Sequence, residues 1–235
     1  MRLQLSPWKL VLVAVAAALL TSLAAMLLLA EFHEEIAEPF LAALDLRIMG
    51  FIHAHATPSL TLLARGLSWI GSPSVLVPVI CATAAILWLR GLRRDAALLS
   101  LGIGGSGALD LALKLHFRRV RPGVPWALAT EHSFSFPSGH SVGAVVLYGL
   151  LTYLVWSRLH DLWERTAVVL AALLLVAGIG VSRVYLGVHF PTDIAAGYAV
   201  GMLWLLPLIA GSEFLARRKA HGASTGTPHL VTNRG

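Results

Sequence analysis

Three short runs, KLHFRRVRP at 114–122, FPSGHS at 136–141 and SRVYLGVHFPTD at 182–193, concentrate the reactive chemistry of this chain. They contain three cations (Lys114, Arg121, Arg183), two histidines (His140, His189), one carboxylate (Asp193) and a Ser138-Gly139 turn. Cations gather around anions, and imidazole acts near neutral pH as nucleophile or proton carrier. The inventory fits a site that grips a phosphoryl group and attacks it with an imidazole. That function requires the chain to bring the three runs to one place.

The surrounding sequence is apolar. Of 235 residues 57% are hydrophobic and 13% charged, and the mean hydropathy is +0.76. Soluble domains carry about 25% charged residues, so this composition marks an integral membrane protein with the bilayer as its solvent. The length suits one membrane domain. Cys81 is the single cysteine, which excludes an internal disulfide framework. A pI near 10.1 could point to nucleic acid. Excess Lys and Arg is expected on cytoplasmic loops of a membrane protein, however, and no nucleic-acid motif is present, so nucleic acid is not expected as a partner.

A spanning helix needs roughly 20 mostly apolar residues. Six stretches meet or approach this: 10–30, 66–89, 96–113, 141–157, 166–182 and 194–212. The expected fold is therefore all-α and polytopic, with six transmembrane helices. The first stretch, behind Arg2 and Lys9, resembles a secretory signal but exceeds the usual apolar length of about 7–15 residues, and it is read as a retained span. Residues 31–58 are expected outside, beginning with acidic EFHEEIAE and continuing as an amphipathic segment in the interface or over the bundle. Thr57-Pro58 reads as a helix start, and Gly71, Pro73 and Pro78 are expected to kink the element that follows. Residues 59–213 form the expected core, and 214–235 an unstructured cytoplasmic tail.

With the N-terminus inside, eleven of the 18 Lys and Arg residues fall inside and seven outside. Five of those seven lie in the three quoted runs. Parity adds a stronger constraint. With six spans, 114–122 follows the third span, 136–141 precedes the fourth in the same loop, and 182–193 joins the fifth to the sixth. All three runs then meet at one membrane face.

Each run alone admits two readings. Pro137-Ser138-Gly139-His140 can be a simple helix N-cap, or an anion site in which orphan backbone N–H groups and the Ser138 hydroxyl hold phosphate while Gly139 lets it approach closely. His189 and Asp193, four apart, can be an interfacial histidine beside a carboxylate stabilised by a helix dipole. They can also be an imidazole oriented by its carboxylate, leaving the second ring nitrogen free to attack. A metal site built from His140, His189 and Asp193 is a third option, although three surrounding cations would be out of place there. Lys114, Arg121 and Arg183 can snorkel to the interface or surround a dianion. Arg118 and Arg119 are assigned to lipid headgroups or to substrate. Asp110, one turn before Lys114, is expected to pair with it or with another polar group.

Taken together, K-x6-R-P at 114–122, P-S-G-H at 137–140 and S-R-x5-H-x3-D at 182–193 resemble the three-part signature of the type 2 phosphatidic acid phosphatase superfamily. All eleven fixed positions are present in order. The superfamily includes vanadium haloperoxidases and bacterial acid phosphatases, and the six-span pattern is similar to its membrane-bound lipid phosphatases. The resemblance implies His189 as the nucleophile that becomes phosphohistidine and Asp193 as its orienting partner. It implies His140 as the acid for the leaving group and then the base for water. Lys114, Arg121, Ser138, Gly139 and Arg183 would bind phosphate, with no metal and no cofactor. It further implies a lipid phosphate or diphosphate substrate, with undecaprenyl diphosphate, phosphatidylglycerophosphate and phosphatidic acid as candidates. The expected location is the plasma (inner) membrane, with the site on the outer side. The competing reading from another class is a lipid-phosphate transporter or binding protein without turnover. The oligomeric state is left open.

Overall fold

The computed structural model describes residues 38–224, together with Leu20. The expected first span at 10–30, most of the acidic run and the end of the tail lie outside the described residues. The described chain forms seven helices: α1 Glu38–Ala54, α2 Pro58–Ile70, α3 Pro73–Leu89, α4 Arg93–Phe117, α5 Gly139–Trp156, α6 Leu162–Tyr185 and α7 Pro191–Ser224. No strand occurs among the described residues.

Local chemistry sets the helix boundaries. Thr57 caps α2 by accepting from the Leu60 backbone N–H at 3.2 Å, and Pro58 occupies the first turn, where a missing N–H has no cost. Gly71 and Ser72 end α2, Pro73 starts α3, and the two helices meet at a 44° bend. The expected kink thus lies at the Gly71–Pro73 break, and Pro78 sits inside continuing helix. Arg118 ends α4 in a left-handed conformation, with φ of 47°. Ser138 caps α5.

Helices α4, α5, α6 and α7 are each long and apolar enough to cross a membrane, and the bent pair α2–α3 adds a fifth crossing if taken as one span. The sixth expected span is the stretch outside the described residues. Apolar side chains point outward as well as inward, with Leu174 74% and Leu206 59% exposed, as befits helices solvated by lipid. Inside, α5 is the central helix. Its Val142, Val146, Leu147 and Leu150 pack with Leu99 of α4 and Val200 and Trp204 of α7. Close approach of α7 to α5 depends on Gly201, where an added Cβ would lie 2.8 Å from Val145. Small residues at such crossings are the usual device in membranes, where van der Waals packing replaces the hydrophobic effect.

Two expectations about the ends are refined. The segment around 39–55 folds over the bundle as α1, against α6 and α7. Its Asp45 and Met49 are buried, while Phe40 and Phe51 face outward. The expected unstructured tail is wrong for 214–224, which continue α7 to Ser224. The sequence there, LARRKA at 215–220, is rich in helix formers. Just before it, Glu213 is anchored to Arg94 at 3.2 Å and accepts from the Tyr153 hydroxyl.

Candidate active site

The three runs converge at one end of the bundle. Lys114 from the last turn of α4, Arg121 from the following loop, Gly139 and His140 from the start of α5, Arg183 from the end of α6 and His189 from the α6–α7 connection all line one cavity of about 570 Å³. Two further expected residues stand outside the lining. They are Asp193 and Ser138, both fully buried.

His189 sits in a tight connection, where Gly187 takes a φ of 75° that disfavours a side chain. Its Nδ1 lies 3.2 Å from Asp193 Oδ2, and its Nε2 lies 3.1 Å from Arg121 Nη1. A carboxylate on one side requires N–H at Nδ1, and a guanidinium on the other requires the lone pair at Nε2. Nε2 is therefore the ring nitrogen that carries the lone pair. Burial pushes the imidazole down to about 4 and Arg121 acts in the same sense, while the bond to Asp193 opposes them. The ring is neutral at pH 7.

Asp193 is held by more than His189. Its Oδ2 accepts the Phe190 backbone N–H at 2.9 Å and the Ser135 hydroxyl, and its Oδ1 pairs with Arg119 at 2.6 Å. Arg121 is fixed by the carbonyls of Ser133 at 2.8 Å and Val188 at 2.7 Å. Lys114 donates to Asp110 at 2.7 Å, as its helical spacing predicts, and to the Pro137 carbonyl. Arg183 donates to Ser68 at 2.5 Å and to Glu131, and its buried Nε has no hydrogen-bond partner among the described residues. An unpaired donor of this kind fits an anion in the cavity. The His140 ring makes no hydrogen bond among the described residues.

Ser138 does not line the cavity, and its hydroxyl accepts from the Ser141 backbone N–H at 3.4 Å, as an N-cap does. Gly139 makes room for Asp110, because a Cβ there would lie 2.9 Å from Asp110 Oδ2. Among the described residues no group of three or more His, Cys, Asp or Glu side chains is arranged to hold a metal ion.

Sequence reasoning missed the layer behind the site. Arg119, assigned to headgroups or substrate, instead clamps Asp193 and also reaches Asp45 at 3.0 Å. Asp45, Ser135, Ser68 and Glu131 were not singled out. For Asp45 a signal existed, namely a lone carboxylate inside apolar FLAALDLRIMGF. Ser135 and Ser68 carry no such signal, since buried and exposed serines look alike in sequence.

The cavity also has apolar lining, with Trp69, Pro73, Leu76, Val77 and Ile103 from α2, α3 and α4. A charged pocket at one end and a greasy wall along the helices match a molecule that has a phosphate and a lipid tail.

Comparison with known proteins agrees with this geometry. Residues 95–215 match the PAP2 superfamily. Phosphatidylglycerophosphatase B of Bacillus subtilis is 35% identical over 162 residues, covering 68% of this chain and 79% of its own. A decaprenylphosphoryl-5-phosphoribose phosphatase of Mycobacterium tuberculosis is 31% identical over 151 residues, covering 61% and 76%. The crystal structure of a transmembrane PAP2-type phosphatidylglycerolphosphate phosphatase from Bacillus subtilis superposes with a TM-score of 0.73 at 30% identity, over 83% of this chain and 96% of that one. The residues that converge on the cavity and the sequence and fold that carry them agree: the chain belongs to the PAP2 superfamily, as a membrane-embedded phosphatase.

Proposed function

We propose that this protein hydrolyses a lipid phosphate or diphosphate through a phosphohistidine at His189. The observation that carries this reading is the neutral Nε2 of His189 facing a cavity that is cationic at one end and apolar along the other wall. Lys114, Arg121 and Arg183 would bind the phosphoryl oxygens, and Arg121 would exchange its contact with Nε2 for one with phosphate. Nε2 then attacks phosphorus as the bond to the leaving oxygen breaks. His140 protonates that oxygen and in the second step takes a proton from the water that cleaves the N–P bond. Charge stabilisation and positioning carry most of such a reaction. The cations belong to the protein, so no metal ion is assigned a role.

Phosphatidylglycerophosphate heads the substrate candidates, supported by the named activity of the Bacillus subtilis relative. Polyprenyl phosphates and diphosphates come next, supported by the mycobacterial relative, and phosphatidic acid follows. We place the protein in the plasma membrane with six spans, the sixth formed by 10–30, and the site on the outer side. The asymmetry of Lys and Arg along the chain supports this orientation. Phosphate release from these lipids by the purified protein in detergent tests the function. The reading expects turnover that is lost in His189→Ala. Tight binding of the same lipids without any phosphate release would make it a carrier instead.

A further inference from the structure

Asp45 lies in α1, outside the residues that match the superfamily, yet it is tied into the support of the nucleophile. Its carboxylate is 1% exposed. Oδ1 accepts the Thr192 backbone N–H at 2.9 Å, and Oδ2 accepts the Thr192 hydroxyl at 2.6 Å and Arg119 Nη2 at 3.0 Å. The same guanidinium reaches Asp193 Oδ1 at 2.6 Å and stacks on Phe190 at 4.2 Å. A continuous chain therefore runs from Asp45 through Arg119 and Asp193 to His189.

Charge explains why the chain needs its first member. When Nε2 bonds to phosphorus, the ring keeps its proton on Nδ1 and becomes cationic. Asp193 is the counter-ion to that charge, but Arg119 sits on its other oxygen and offsets it. Arg121 on the opposite side of the ring adds further positive charge. With Arg119 alone behind Asp193, the pair would be neutral where an anion is needed. With Asp45 present, the group of two carboxylates and one guanidinium is net negative. Burial makes the balance matter, because charges are weakly screened there.

We propose that Asp45 is a positioning residue for phosphoryl transfer, balancing Arg119 so that Asp193 retains its negative charge toward His189. The inference rests on the phosphohistidine reading, which His189→Ala tests separately: phosphoenzyme formed by that variant would remove the reading itself, whatever Asp45 does.

The test is the single-turnover rate of phosphoenzyme formation from a lipid monophosphate, with substrate affinity measured in parallel. Asp45→Asn keeps the shape and removes the charge. It should slow transfer about 10–100-fold, the scale of outer-layer partners in metal sites, and leave affinity within about twofold, because Asp45 does not line the cavity. Combining it with Arg119→Gln removes the charge that Asp45 offsets, so the double variant should transfer phosphate faster than Asp45→Asn alone. A purely structural role predicts losses that add. Wild-type transfer by folded Asp45→Asn, or a double variant no faster than that single one, would overturn the proposal. Should Asp45→Asn fail to fold around an unbalanced Arg119, the double variant carries the test. It must then transfer within about tenfold of wild type, and a rate as low as that of Asp193→Asn would refute the role.

Discussion

The histidines are where a single residue decides the chemistry. His189 takes up its proton at about 4 in the folded protein, against 6.5 for an unperturbed imidazole, because burial disfavours the charged ring. The unfolded chain therefore binds this proton first as pH falls, and folded-state stability declines between those two values. NMR titration in detergent, with the His189 signal assigned by its absence in His189→Ala, should show a neutral ring through pH ~6. A midpoint at 6.5 would contradict the assigned environment. His140 answers a different test. An alkoxide leaving group needs a proton as its bond breaks, whereas an aryl oxide needs little help. His140→Ala should slow phosphoenzyme formation from a lipid monophosphate by about 10²–10⁴-fold, and much less from an aryl phosphate. Equal losses would make His140 a phosphate ligand only. The sequence shows these residues plainly, since spacing alone pairs His189 with Asp193 and Asp110 with Lys114. It does not show Ser138 buried behind the cavity lining, because a capping serine and an anion-binding serine occupy the same position in a helix-start motif.

At the scale of helices, the broken pair α2–α3 and the short α1 shape the site as much as the long spans do. The break at Gly71–Pro73 was legible because glycine and proline act through the backbone, whatever surrounds them. The burial of Asp45 was not, because a tertiary partner 74 residues away decides it. Likewise the anchoring of Glu213 by α4 and α5, just before α7 runs on past 214, joins residues far apart in the chain and adds to the helix-forming composition of 215–220. The loop before α5 and the α5–α6 turn lie at opposite ends of a spanning helix, and His132 and His160 are exposed in them. In a Cys81→Ser background, His132→Cys should react with an impermeant thiol reagent in intact cells, and His160→Cys should not. The reverse pattern would place the site on the cytoplasmic face.

For the whole molecule, two crossings link hydropathy to chemistry: α5 and α6 lie between the second run and the third and return the chain to the same end, where the structure gathers all three runs around one cavity. Because the protein itself supplies three cations there, turnover should persist in excess EDTA, while vanadate should inhibit as a mimic of five-coordinate phosphorus. Loss of activity in EDTA with recovery in magnesium would show that the charge balance needs a metal. The central claim is the covalent intermediate, and trapping it is the most direct measurement. The protein is mixed with a lipid phosphate, quenched in alkali, where phosphohistidine survives and acid does not cleave it, and mapped by mass spectrometry. The account predicts phosphate on His189, absent from His189→Ala and accumulating in His140→Ala with an aryl phosphate as donor. A phosphoryl group on another residue, or turnover that persists in His189→Ala, would contradict it.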